Sequence, residues 1–441
     1  MIRRLLLFGV LMCLLLTIPV DAFAGESSWV GKKVIAKKRD IGIINTDDNG
    51  LPVYVGVVTD VGTVLAEKDG WLKITQQGAE GWLKKNEAVL LENAIPYFTQ
   101  RIRANPEDYI AYGLRAFAWH AKGNLDIALK DYNEAIQLAP GDKTFYNDRA
   151  MAYLAKRNYD KAIADCNELI RLDPTYALAF TIRGNVYYYK KDYDKAIADC
   201  NEAIRLEPTY AYAFTIRGNV NLAKKDYDKA IADCNEAIRL VPKYAFAFTI
   251  RGNVYYNKKD YDKAIADYNE AIRLVPTYAF AFTIRGNVHY FKKDYNKAIA
   301  DYNEAIRLDP KDAVAFINRG FAYEAKKDYD KALEIYKEAV RLDAQSASAF
   351  NYAARLMATC PEATLRDGKK AIELAKRACE LNKWKAAGDI DTLAAAYAEA
   401  GQFDEAVRYQ LQSLEGPAMA KNEGARKRLE LYKNKKPYRA E

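Results

Sequence analysis

The chain has 441 residues, half of them hydrophobic and 29% charged, with a formal net charge of +8 and only two histidines. Residues 421–441 hold eight basic and three acidic side chains and residues 1–24 contribute +1, so residues 25–420 carry only +2. A body so near neutrality is not expected to read nucleic acid. Neither His120 nor His289 stands near a second ligand type at a useful spacing, and P-loop, GxGxxG, HExxH and GxSxG patterns are missing from the sequence, so no enzyme, cofactor or metal site is expected.

Residues 1–24 combine Arg3 and Arg4, an apolar run over 5–18, the helix breaker Pro19 and the small residues Ala22 and Ala24. This is the pattern of a secretory signal cut before Gly25. An uncleaved anchor is the alternative, against which the run is shorter than the roughly 20 residues of a bilayer span. No later stretch approaches that length, so the expected product is exported, periplasmic or secreted, with no stable transmembrane segment after cleavage.

Over residues 25–92, Val34-Ile35-Ala36, Val53-Tyr54-Val55, Thr63-Val64-Leu65 and Trp71-Leu72-Lys73-Ile74 predict short strands punctuated by Gly and Asp. With Gly70-Trp71 and Gly81-Trp82 among them, the segment resembles a bacterial SH3-like barrel. The resemblance implies a cell-wall or protein ligand, with Tyr54, Trp71 and Trp82 as contacts. The alternative is that both tryptophans fill a small barrel's core. Residues 93–108 predict a linker and capping helix, in which Phe98 and Pro106 match the places of Tyr132 and Pro140 in the segment that follows.

From 109 to 346 a 34-residue unit recurs seven times without insertion, with Pro140, Pro174, Pro208, Pro242, Pro276 and Pro310 on one register and Ala344 in the seventh place. Each unit holds two apolar patterns of helical period split by a polar turn such as Lys190-Lys191-Asp192. Phe180, Gly184 and Tyr187 mark the first helix of one copy and Ala196, Cys200 and Ala203 the second. Two helices per unit, a small residue at their crossing and a proline at the exit resemble the tetratricopeptide repeat, or TPR. The fold expected is mainly α, a right-handed TPR helical solenoid preceded by a small all-β SH3-like barrel. Residues 245–278 and 279–312 share 28 of 34 positions, which suggests recent duplication and an extended or repetitive ligand.

The resemblance implies that positions two, five and nine of each first helix form one concave stripe. Position nine is Asn185, Asn219, Asn253 and Asn287, and position five is Thr181, Thr215, Thr249 and Thr283. Position two is Leu178, Tyr212, Phe246 and Phe280. Asparagine offers both donor and acceptor to an extended peptide backbone, and the rings would anchor apolar side chains. The alternative is that Gly-Asn is filler and the rings pack on the preceding copy. No basic residue stands on the stripe in these four copies, so a clamp for an acidic C-terminus is not expected.

Arg115, Arg149, Arg183, Arg217, Arg251, Arg285 and Arg319 recur where the TPR pattern has Leu. Six copies place an Asp in the second helix, from Asp131 to Asp301, and Ile335 stands there in the seventh. Structural Arg–Asp pairs are expected. Cys166, Cys200 and Cys234 share one repeat position, too far apart for disulfides and suited to burial as small apolar groups. Cys360 and Cys379 are left open as a pair. Residues 347–417 read as two divergent repeats, and 418–441 as a basic capping helix and tail, the tail solvated. The expected function is an exported, non-enzymatic scaffold binding a peptide segment of a protein in the concave groove. The alternative is an envelope-anchoring module whose barrel binds a cell-wall glycan or peptide.

Overall fold

The structure, a computed structural model, describes residues 28–39, 42–46, 52–57, 61–76, 79–417 and 419–440. The expected signal and its cut site lie outside the described residues. The chain divides into two units between Ala104 and Asn105.

The first unit is a small antiparallel sheet followed by a helix. Its strands are β1 (Lys33–Ala36), β2 (Gly42–Thr46), β3 (Pro52–Val57), β4 (Gly62–Lys68), β5 (Trp71–Gln76), β6 (Ala79–Lys84) and β7 (Ala88–Leu90), in the order β3-β2-β6-β5-β4-β1-β7. Side chains alternate across a strand, so Leu72 and Ile74 of β5 and Leu83 of β6 enter a core with Val34, Val64 and Leu90. Trp71 and Trp82 then project from the other face, each half-buried. The core is aliphatic, which overturns the reading of both tryptophans as its filling. Helix α1 (Leu91–Ala104) packs on β1 and β7, and Arg101 Nη1 donates to the Lys37 carbonyl at 2.8 Å.

The second unit is helical throughout. Seven pairs follow one another: α2 (Tyr109–Ala121) with α3 (Leu125–Leu138), α4 (Lys143–Ala155) with α5 (Tyr159–Leu172), α6 (Ala177–Tyr189) with α7 (Tyr193–Leu206), and α8 (Ala211–Ala223) with α9 (Tyr227–Leu240). The array continues with α10 (Ala245–Asn257) and α11 (Tyr261–Leu274), α12 (Ala279–Phe291) and α13 (Tyr295–Leu308), then α14 (Ala313–Ala325) and α15 (Tyr329–Leu342). Each pair packs within itself and onto the next, and in the first six copies the second helix ends two residues before the recurrent proline, which has no N–H to extend it. Second helices start on capping side chains: Asp192, Asp260 and Asp328 accept from the N–H three residues on.

The crossing within a pair takes two forms. At Gly252 the ring of Tyr268 lies so close that an added Cβ would sit 2.5 Å from Cε1, whereas at Gly184 the nearest atoms are the Ala196 carbonyl oxygen at 3.1 Å and Cys200 Sγ at 3.2 Å. The same register position therefore holds a ring in some copies and a thiol in others.

Beyond the array come α16 (Ala347–Thr359), α17 (Gly368–Leu381), α18 (Ala387–Glu399), α19 (Phe403–Glu415) and α20 (Glu423–Lys433). The tail is not a solvated end. Tyr432 is fully buried, Arg428 pairs with Asp391 at 2.8 Å, Arg439 with Glu399 at 2.6 Å, and the Ala440 N–H donates to the Thr359 carbonyl. Carboxylates on α18 draw the basic segment back onto the last repeats, a long-range match invisible to a local charge count.

Candidate functional site: the first-helix face of the repeats

First helices of neighbouring copies touch, α6 and α10 on α8 among them, and Asn318 of α14 donates to Asn287 Oδ1 of α12 at 3.0 Å. On this face all four position-nine asparagines are partly exposed. Tyr268 and Tyr302 donate their hydroxyls to Asn253 Oδ1 and Asn287 Oδ1, both at 2.8 Å. Cys200 and Cys234 have no hydroxyl to give, so Asn185 and Asn219 keep their carbonyl oxygens free of that bond; Asn219 lies in hydrogen-bonding reach of the Tyr188 hydroxyl instead. The asparagines are thus two different pairs, set by whether the second helix carries Cys or Tyr.

Position five does not belong to the face. Thr181, Thr215 and Thr249 are fully buried and Thr283 is 5% exposed. Each hydroxyl donates to the carbonyl four residues earlier, Ala177, Ala211, Ala245 and Ala279. This corrects the expectation that these threonines line the groove: the i−4 backbone bond that Thr makes in helices satisfies the hydroxyl internally.

Position two is mixed. Leu178, Tyr212 and Phe246 are partly buried against their own and neighbouring copies, and burial pushes the Tyr212 hydroxyl up to about 12. Phe280 stands 51% exposed. Two further rings escaped the sequence reading: Tyr189 at 52% and Phe291 at 54% exposure. They lie four residues beyond Asn185 and Asn287, hence on the same helical stripe. That spacing was the available signal.

Behind the face runs a charged seam. Arg183 forks onto Asp199 through Nε and Nη2 at 2.8 and 2.7 Å, and its Nη1 donates to Asn167 Oδ1 of the preceding copy at 2.6 Å. Arg149, Arg217, Arg251 and Arg285 repeat the arrangement with Asp165, Asp233, Asp267 and Asp301, and Arg115 forks onto Asp131. Hydrogen bonding to Asp199 holds Arg183 above its already high value. Arg319 keeps only Asn303: Ile335 removes the carboxylate, Nε is buried without a partner, and burial lowers the Arg319 pKa. These pairs tie helix to helix.

All five described cysteines are buried free thiols, including Cys360 and Cys379. Burial pushes Cys166, Cys200 and Cys379 up to about 12, which leaves them protonated and poor nucleophiles. Among the described residues no cluster of His, Cys, Asp and Glu could hold a metal ion, and no helix is long and apolar enough to cross a membrane. In the first unit, Trp71 lines a shallow open depression with Trp29, Lys37, Asp69, Lys84 and Lys85. Lys84 Nζ stands 5.5 Å from the Trp71 ring centre, and Trp82 is not in the lining. The Tyr54 side chain lies outside the described residues.

Several tetratricopeptide-repeat models match the chain, at residues 91–143 and 121–177, 177–210 and 313–346, 211–244, 252–292 and 286–327, and 390–416. Together they take in more than half of its length. A crystal structure of MamA is 26% identical over 37% of this chain and 96% of its own, with a TM-score of 0.34; a second MamA crystal structure is 24% identical over 39% and 93%, also at 0.34. A tetratricopeptide repeat protein from Parabacteroides merdae is 16% identical over 56% of this chain and 97% of its own, with a TM-score of 0.43. No curated protein matches the chain. The 34-residue register, the paired helices and the matched models agree, and the chain belongs to the tetratricopeptide-repeat family.

Proposed function

We propose that this protein is an exported interaction scaffold whose repeats hold an extended peptide segment of another protein along the first-helix face. The observation that carries the reading is the row of solvent-facing rings Tyr189, Phe280 and Phe291 beside the half-exposed amides of Asn185, Asn219, Asn253 and Asn287. Exposed aromatics offer apolar anchors at low entropic cost, and amides bond a peptide backbone whatever its sequence. Tetratricopeptide repeats support protein–protein interaction as the general role; the peptide, the groove and the exported location are the finer proposal.

The test is affinity capture from an envelope extract with the full chain and a Tyr189→Ser/Phe280→Ser/Phe291→Ser variant. Loss of a captured protein from a variant with an unchanged melt supports the groove. Unchanged capture sinks it. A second reading, an envelope anchor, draws on Trp71 beside Trp29 in an open depression. Retention of the full chain on insoluble cell wall, lost in Trp71→Ala, would favour that reading.

A further inference from the structure

The turn between the two helices of every pair except α16–α17 contains one residue in the left-handed region. At the ends of the solenoid it is glycine, Gly123 at φ +81° and Gly401 at φ +77°. In the second to seventh copies it is Arg157, Lys191, Lys225, Lys259, Lys293 and Lys327, with φ between 57° and 65°. The turn is the same throughout: the N–H of Gly123, Lys191 and Lys327 each donates to the carbonyl three residues earlier. A Cβ is strained in this backbone and glycine is not, so six copies bear a conformational cost that the end copies avoid. What they gain is a cation.

These six cations are exposed, and the side chains of the five lysines make no hydrogen bond or ion pair among the described residues. Their neighbours behave differently. Lys190, Lys224, Lys258 and Lys292 reach back to Asp160, Asp194, Asp228 and Asp262 of the preceding copy at 2.5–3.0 Å. The capping acids are engaged too: Lys195 holds Asp192 and Lys263 holds Asp260, at 2.9 and 2.8 Å. The acids of the turns at Lys191, Lys225, Lys259 and Lys293 are therefore matched one for one by other lysines, and the left-handed lysine is the surplus charge; at Lys327 the exposed Asp330 has no such partner among the described residues and offsets it. Where Asn296 replaces an acid, Lys326 bonds a neutral amide and the surplus grows. The near-neutral total of the body conceals a single edge with one unneutralised cation per repeat from Arg157 to Lys293.

We infer that this edge is a binding site for a flexible, linear phosphate-backbone polymer. Equivalent positions of stacked repeats lie about 8–10 Å or more apart, and the row winds with the solenoid, so a chain able to bend with it meets successive cations where a flat lipid surface meets few. Lysine acts on phosphate as a point charge, which suits a sequence-independent contact. Three tyrosines next to the turns, Tyr193, Tyr261 and Tyr295, are spent on Tyr188, Tyr256 and Tyr290, with centroids 5.6–6.2 Å apart, so these rings do not serve for base stacking. The edge adjoins the exposed rings Tyr189 and Phe291, two residues before Lys191 and Lys293, while Phe280 stands at the other end of its helix; the lysine variant leaves all three rings in place.

The experiment uses the full chain and a Lys191→Gly/Lys225→Gly/Lys259→Gly/Lys293→Gly/Lys327→Gly variant, which removes five charges while relieving the backbone, so folding is kept. Binding to long-chain inorganic polyphosphate is followed against salt, with vesicles of phosphatidylserine and phosphatidylcholine as a parallel arm. The parent chain binds polyphosphate with a negative log K against log salt slope. The glycine variant binds at least about tenfold more weakly with a slope flatter by up to ~3.5, taking about 0.7 per neutralised charge on a single strand; a fivefold Lys→Arg variant retains binding. Equal binding by the parent and glycine variants, no polyphosphate binding by the parent, or loss confined to vesicles would each overturn the inference.

Discussion

Tyr268 donates its hydroxyl to Asn253 Oδ1 at 2.8 Å across a helix pair, while the equivalent Cys200 gives Asn185 nothing. A substitution at one asparagine therefore differs from the same substitution at the other. Asn253→Ala leaves a buried tyrosine hydroxyl unpaired and should cost about 1–3 kcal/mol. Asn185→Ala should stay within about 0.5 kcal/mol. Urea melts of the two variants measure the difference; equal midpoints would show that the hydroxyl bond is energetically idle.

The charged seam has one defective member. Arg251→Met strands Asp267, a buried carboxylate, and should destabilise by roughly 3 kcal/mol. Arg319→Met removes a guanidinium that has no carboxylate and whose Nε is already buried without a partner, and should be neutral or stabilising. Thermal melts decide; a large loss at Arg319 would mean that Asn303 alone sustains the charge.

Helix crossings should tolerate a methyl group unequally. Gly252→Ala drives Cβ to 2.5 Å from the Tyr268 ring, overpacking of about 1–3 kcal/mol. Gly184→Ala meets the Ala196 carbonyl oxygen and a thiol at 3.1–3.2 Å, and the alanine gains up to about 1 kcal/mol of helix propensity. Gly252→Ala should melt lower than Gly184→Ala, and the reverse order would contradict the ring-on-glycine contact.

Acid should loosen the Lys143–Asp173 contact that closes the second copy only at low pH. Lys143, with the Thr175 hydroxyl and N–H, holds the Asp173 carboxyl down to about 2 from its ordinary 3.8. A carboxyl lowered on folding adds stability above its unfolded value and loses it as pH falls, here between about 4 and about 2. Carboxyl NMR titration should place Asp173 near 2 in the parent chain and higher in Lys143→Ala. Identical midpoints would remove the lysine from the contact.

The sequence by itself determined the repeat, its 34-residue period, both helices of each unit and the Arg–Asp pairs, because all of these follow from spacing within and between adjacent copies. Helical period 3.6 and a proline every unit leave little freedom. Only the tertiary structure decided what each stripe residue does. Thr181 and its equivalents sit at concave spacing yet turn their hydroxyls onto their own backbone, and Asn253 differs from Asn185 because of a ring 15 residues away. The basic segment after 420 reads as solvated until Asp391 and Glu399 are seen to receive it. Local pattern fixes which residues share a face; which of them meet solvent depends on side-chain volume and charge brought from elsewhere in the chain.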